Sequence, residues 1–199
     1  MPNNTDRMVW IDLETFGLKP AMDPILEVGL KITDLELNVI DDFHALCWDS
    51  PWYDQLFRAL VIQAEAGGDR LVLDMHTQSG LWDAANATGE PMAIVEANVL
   101  HWMEGHGIDR GDPLCGSSVH FDRSFLAMWM SEVNETFSYR IIDNSSTKEL
   151  CIRLNPTVYA RLDKEVIPRK IHRSLPDLDD TIEEYRFYKE NFLVAQPYN

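Results

Sequence analysis

Two carboxylates, Asp12 and Glu14, stand one residue apart directly after the apolar run Met8-Val9-Trp10-Ile11. If that run is a β-strand, positions i and i+2 project from the same face, and the pair can grip one hard cation such as Mg²⁺. The same spacing recurs at Asp34 and Glu36, in a turn, and at Asp163 and Glu165, in a polar stretch, where a solvated surface explains it. Only Asp12 and Glu14 combine an apolar approach with Thr15-Phe16-Gly17-Leu18 behind them. Three more groups invite chemistry. Asp122 follows the apolar Pro113-Leu114-Cys115-Gly116 and opens a helical pattern, where a carboxylate can serve simply to complement the helix dipole. His172 and Asp177 are five residues apart, as are His44 and Asp49. Ser174-Leu175-Pro176-Asp177 reads as a helix start with Ser174 at the N-cap, so Asp177 can equally belong to a capping arrangement.

The elements that must position these residues follow from periodicity. Ile25 to Thr33 alternates, with Leu26, Val28, Leu30 and Ile32 on one face and Glu27, Gly29, Lys31 and Thr33 on the other. Leu37 to Trp48 is a third extended stretch, which completes a meander with the strand before Asp12. Helical patterns dominate afterwards. Ser50-Pro51 reads as an N-cap and first-turn proline for a helix to about Ala66. A second helix spans Pro91 to about Gly105 and a third Asp122 to Val133. Tyr139 to Asp143 is a strand, Ser146-x-x-Glu149 a capping box for a helix ending at Asn155-Pro156, and Leu175 to Phe192 the last helix. Three strands, then helices alternating with two more, Pro113 to Gly116 and Tyr139 to Asp143, predict an α/β fold. The ribonuclease H-like architecture has this order, and the expectation is a mixed five-stranded sheet, an antiparallel three-strand meander plus two parallel strands, flanked by helices.

At 199 residues the chain has the size of one domain able to bury a core. The whole chain, 1–199, is read as one domain with its core at about 8–192. No apolar run approaches a membrane span, and the polar start Met1-Pro2-Asn3-Asn4-Thr5 is not followed by a secretory signal. Three separate cysteines, Cys47, Cys115 and Cys151, fit reduced thiols in a cytoplasmic protein better than a disulfide framework. Lys and Arg number 17 against 33 Asp and Glu, a formal net charge of −16. Proteins that grip long nucleic acid carry basic stripes, because phosphate neutralisation supplies most of the affinity. The nearest approach here is Arg169-Lys170-Ile171-His172-Arg173. Either nucleic acid is not the substrate, or it is short and held through metals and a few contacts.

Four segments carry a resemblance. Trp10 to Leu18 looks like the first exonuclease motif of the oligoribonucleases, members of the DEDDh 3′→5′ exonuclease superfamily. Cys115 to Leu126 resembles the second, Tyr139 to Asp143 the segment after it, and His172 to Asp177 the third. They run in order across nearly the whole chain, and the ordered set is far more specific than any member.

The resemblance implies that Asp12, Glu14, Asp122 and Asp177 hold two divalent metals, Mg²⁺ or Mn²⁺, and that His172 is the general base that takes a proton from water. It implies that Leu18 wedges against the terminal bases, that His76 flanks the substrate, and that Ser118, Ser145 and His172 lie near its phosphates. Tyr139 and Arg140 would reach into a neighbouring subunit's site in a homodimer, Arg140 offering a fork of donors and Tyr139 a stacking face. The chemistry is coherent. Four carboxylates would repel a phosphodiester unless cations intervened, two metals roughly 3.5–4 Å apart stabilise attacking and departing oxygens, and an imidazole of reference pKa about 6.5 can accept the proton. The implied activity is 3′→5′ hydrolysis of short oligoribonucleotides, especially dinucleotides, to nucleoside 5′-monophosphates. Two alternatives stay open: an exonuclease of the same superfamily acting on DNA or tRNA 3′ ends, and a catalytically inactive nucleotide-binding dimer module. Pro176 and Phe16 depart from the family pattern. The segment Ser50 to Asp74, with Trp52, Tyr53 and Phe57, is read as longer than usual and as ordinary packing, with a modified site entrance as the alternative.

Overall fold

The computed structural model describes residues 6–166, 168 and 171–193, and of Asp163 only the backbone. The basic pair Arg169-Lys170 therefore lies outside the described residues. Among those described, β1 (Arg7–Thr15), β2 (Ile25–Asp34), β3 (Val39–Leu46), β4 (Leu114–Gly116) and β5 (Ile141–Asp143) form one sheet in the order β3-β2-β1-β4-β5. β1, β2 and β3 are antiparallel neighbours, whereas β4 runs parallel to β1 and β5 parallel to β4. This is the expected ribonuclease H-like arrangement, a mixed sheet covered by helices.

Alternation along the central strands sorts their residues between two apolar layers. Val9, Ile11 and Leu13 of β1 join Leu26, Val28, Leu30 and Ile32 of β2 in the larger core. That core is closed by α1 (Trp52–Glu65), α2 (Leu71–Gln78), α3 (Leu81–Thr88), α4 (Met92–Gly105), α5 (His120–Trp129) and α6 (Ser131–Thr136). Met8 and Trp10 point the other way, into a smaller cluster with Leu178 and Ile182 of α9 (Ser174–Asn191). Asp12 and Glu14 continue this second series, so the side chains at the end of β1 are delivered to the α9 face. α7 (Asn144–Leu154) and α8 (Pro156–Glu165) pack beside α9 through Cys151, Leu162, Phe187 and Tyr188.

The polar side of β2 is not a solvent face. Thr33 accepts a hydrogen bond from Trp10 Nε1 at 3.0 Å, Lys31 pairs with Asp179, and Glu27 receives donors from the start of α9. Glu27, Gly29, Lys31 and Thr33 are all buried because α9 lies across them. Gly29 permits the approach: a Cβ there would stand 2.5 Å from Ser174 Oγ.

Several helix starts differ from the sequence reading. Pro51 precedes α1 rather than opening it, and Ser50 Oγ bonds the Asp54 carboxylate instead of capping. α7 begins at Asn144, so Ser146 lies inside its first turn with Oγ donating to Asp143 at 2.7 Å, while Glu149 pairs with Arg153; no capping box forms. Ser174 is the first residue of α9, not its cap. α2, α3, α6 and α8 are not marked in the sequence. α2 and α3 are eight residues each, joined through Gly80 at φ +70. Among the described residues α8 has the one cap seen as a side-chain bond, Asn155 accepting from the Val158 N–H at 3.2 Å ahead of Pro156. No helix among the described residues is long and apolar enough to cross a membrane.

Candidate active site

The site forms where the ends of β1 and β4 meet the first turns of α5 and α9. Asp122, in the first turn of α5, does more than complement a dipole: its Oδ1 accepts the Leu13 N–H at 3.0 Å, between Asp12 and Glu14 in the chain. Asp177 lies in the first turn of α9, its N–H donating to the Arg173 carbonyl at 3.0 Å. Glu14, His172 and Asp177 each offer one ligand atom, and these atoms lie within 4.8 Å of one another. Asp12, half-buried, feels the charges of Asp122, Glu14 and Asp177 together. Five residues spread from position 12 to position 177 are thus brought together at the ends of β1, α5 and α9.

The electrostatics of this cluster are those of acids lacking a counter-charge. Burial, then the neighbouring charges of Glu27, Asp177 and Asp122, pushes Glu14 up to about 8, with Arg173 opposing. Burial likewise raises Asp122 to about 7 against the Leu13 N–H, with Asp143 adding to the rise. Asp12 is driven well above the carboxylate range by burial, then by Asp122, Glu14 and Asp177. Asp177 is raised by burial while the His172 charge and the backbone N–H groups of Ile171 and His172 pull it back. Its buried Oδ1 has no hydrogen-bond partner. Mutually repelling carboxylates and an orphaned carboxylate oxygen are what a bound divalent cation would relieve, so the residues fit such an ion.

His172 is exposed, with its backbone in the left-handed region at φ +56. Ser118 shares that backbone at φ +54. Because β4 and β5 are parallel neighbours, the turns following them adjoin, and Ser145 Oγ lies 2.9 Å from Ser118 Oγ and 3.1 Å from Ser117 Oγ. Leu18 projects from the loop after β1, 67% exposed. That loop is braced by Thr15 Oγ1 donating to the Gly17 carbonyl at 2.6 Å and by the Lys19 N–H on Asp23 at 2.8 Å. Tyr139 is 80% exposed, and the Arg140 guanidinium lies 4.7 Å over its ring.

His76, which the resemblance sets beside the substrate, is fully buried, its Nε2 donating to the Thr15 carbonyl at 2.9 Å, its ring edge-on to Trp82 and its Nδ1 3.8 Å from Glu14 Oε2. The long aromatic segment is packing: Phe16 is enclosed by Trp48, Tyr53 and Trp82, and Trp52 stacks on Trp129. The sequence reading passed over Glu27, which is buried beside the site; its place in a strand otherwise sorted cleanly into two faces was the available signal.

Comparison with known proteins bears on the whole chain. It is 35% identical over 193 residues to an oligoribonuclease of Chromobacterium violaceum, covering 97% of this chain and 99% of the relative. It is 40% identical over 195 residues to one of Streptomyces avermitilis (96% and 90% covered) and 33% over 194 to one of Neisseria meningitidis (96% and 95%). No protein-family model matches. Among solved structures, E. coli exonuclease I in complex with a dA16 oligonucleotide superposes with a TM-score of 0.68 at 16% identity, covering 94% of this chain. Exonuclease I of Methylocaldum szegediense superposes with 0.64 at 20% identity, also over 94%. The chain spans about two fifths of those longer proteins, 42% and 41%, and the likeness is one of fold.

Proposed function

The chain belongs to the oligoribonuclease family and is a 3′→5′ exoribonuclease, and we propose that it hydrolyses short oligoribonucleotides, dinucleotides above all, to nucleoside 5′-monophosphates at the cluster of Asp12, Glu14, Asp122 and Asp177. The observation that carries this reading is the convergence of Glu14, His172 and Asp177 within 4.8 Å beside Asp12 and Asp122. These four carboxylates would hold two divalent cations, Mg²⁺ or Mn²⁺, which when bound neutralise the phosphodiester and stabilise its attacking and departing oxygens.

His172, exposed at the rim, takes the proton of the attacking water. The hydroxyls of Ser118 and Ser145, held 2.9 Å apart, donate to phosphate oxygens. Leu18 presses on the terminal base, and Tyr139 with Arg140 reaches into a second subunit's site in a homodimer. His76 acts from behind Glu14 rather than on the substrate. The net charge of −16 disfavours long polyanions held by backbone contacts alone. Buried, unpaired Cys47, Cys115 and Cys151 suit a reducing cytoplasm, and residues 1–199 act as one exonuclease domain with a core at about 8–192.

Initial rates on di-, penta- and long RNA and on single-stranded DNA, at equal molarity of ends, test the proposal. The dinucleotide should be cleaved fastest. Faster cleavage of DNA or of long RNA would move the assignment to another exonuclease of the superfamily, and no turnover with Mg²⁺ or Mn²⁺ would leave an inactive module.

A further inference from the structure

Glu27 has no place in the reaction described above, yet it is buried, 1% exposed. Burying a carboxylate costs several kinds of hydration at once and is tolerated only where donors fully replace water. Here they do. Glu27 Oε1 accepts Arg173 Nε at 2.9 Å, Arg173 Nη2 at 2.8 Å and His44 Nε2 at 2.5 Å, and Oε2 accepts the Ser174 N–H at 3.0 Å. The donors outweigh burial and hold the carboxyl below its usual range.

Two of these donor residues, Arg173 and Ser174, directly follow His172. His172 itself has φ +56, an uncommon conformation for a residue with a Cβ, which its surroundings must hold. Its neighbours supply that constraint. Ser174 is pressed onto the β2 backbone so closely that a Cβ at Gly29 would meet Ser174 Cβ at 2.6 Å. Arg173, its side chain 24% exposed, spends its fork on Glu27, and its carbonyl receives the Asp177 N–H at 3.0 Å. The segment bearing both His172 and Asp177 is thus pinned to β2 at the two residues after the histidine.

We infer that Glu27 and Arg173 form a latch between β2 and α9 that positions His172, and with it Asp177, without touching the substrate. The inference rests on the reading of His172 as the proton acceptor. Loss of the latch should lower kcat rather than raise KM, since a displacement of about 1 Å at a reacting group can cost about 10²-fold.

The test uses Arg173→Ala, Glu27→Gln and the double variant Glu27→Gln/Arg173→Gln, with kinetics on a dinucleotide and amide hydrogen exchange over residues 171–178. Arg173→Ala should lose about 10²-fold in kcat with KM within about twofold of the parent, and exchange should quicken at Ser174 to Asp177 but not in the second half of α9. The double variant, whose amides can bond each other, should regain most of the loss. A folded Arg173→Ala with unchanged kcat, a rise confined to KM, or unchanged exchange in the segment would each overturn the latch. A double variant with kcat no higher than that of Arg173→Ala would do so too. If the parent protein fails to turn over the dinucleotide, the assignment of activity falls, and the exchange data alone decide whether the latch exists.

Discussion

His76 Nδ1 lies 3.8 Å from Glu14 Oε2 and has no hydrogen-bond partner, while Nε2 of the same ring donates to the Thr15 carbonyl. A carbonyl can only accept, so the proton of a neutral His76 is on Nε2 and a lone pair faces Glu14. Burial lowers His76 below the usual histidine range, which favours that neutral ring. A lone pair opposite a carboxyl is tolerable when the carboxyl carries a proton, in keeping with the raised pKa of Glu14.

The position of His76 predicts its mutational signature. His76→Phe keeps the ring volume and the contact with Trp82 but removes the bond to Thr15. It should weaken Mg²⁺ affinity and lower kcat, with little change in the KM for a dinucleotide. Titrating activity against Mg²⁺ at fixed substrate, then substrate at saturating Mg²⁺, separates the two; a selective rise in KM would instead place His76 against the substrate.

The raised carboxyls make stability depend on pH and on metal in a stated direction. Glu14 shifts from 4.5 to about 8 and Asp122 from 3.8 to about 7. The native state therefore binds more protons than the unfolded chain across this window, and metal-free stability falls as pH rises through it. Glu27, shifted downward, stays ionised throughout, and the lowered His76 opposes the fall only below about 6.5, where the raised Asp12 and Asp177 add to it. Thermal unfolding in EDTA from about pH 5 to about pH 8 should give a declining Tm, and added Mg²⁺ should restore more at the alkaline end, because binding requires the ionised acids. A metal-free Tm that climbs over this range would contradict the assigned shifts.

Asp12→Asn should abolish turnover and stabilise the metal-free fold at once. Asp12 is the acid pressed by Asp122, Glu14 and Asp177 together, so its removal relieves repulsion at the expense of a ligand. Activity should drop by about 10³-fold or more, and the metal-free Tm should rise by about 2–4 °C for each kcal/mol of repulsion removed. An active Asp12→Asn protein would exclude the metal scheme.

Phe16→Ala tests the packing under the site. Its ring is 5% exposed and makes edge or tilted contacts with Trp48, Tyr53 and Trp82 at 5.0 to 6.1 Å. Deleting a buried Phe costs about 3–5 kcal/mol, and the loop bearing Gly17 and Leu18 should loosen with it. Chemical denaturation should register the loss; a change below about 1 kcal/mol would mean the aromatic cage is not what supports that loop.

Much of the fold is legible in the order of the residues. The apolar run Met8 to Ile11 ahead of Asp12 and the alternation of Ile25 to Thr33 placed β1 and β2 and set which side chains share a face. What it hid was the covering of the second face, since the donors to Glu27 come from 146 and 147 residues away and no local pattern records them. α2 and α3 escaped notice because each is eight residues without a side-chain cap, stabilised by contacts such as Trp82 Nε1 on the Leu73 carbonyl at 3.2 Å. The burial of His76 was hidden for the same reason: the groups that enclose it, the Thr15 carbonyl and the Trp82 ring, are drawn from β1 and α3. Of the four acids, Asp12 and Glu14 stood out by their place after an apolar run, whereas Asp122 and Asp177 read equally well as helix-start charges and were singled out by the resemblance.

The central claim is an end-directed hydrolysis that depends on cations caged by Asp12, Glu14, Asp122 and Asp177. The most direct measurement is a time course on 5′-labelled RNA of graded length with Mg²⁺ or Mn²⁺, repeated in EDTA and with Glu14→Gln. The account predicts stepwise shortening from the 3′ end to mononucleotides, fastest for the shortest RNA and lost both in EDTA and in the variant. Internal cleavage products, or shortening that continues undiminished in EDTA, would contradict it.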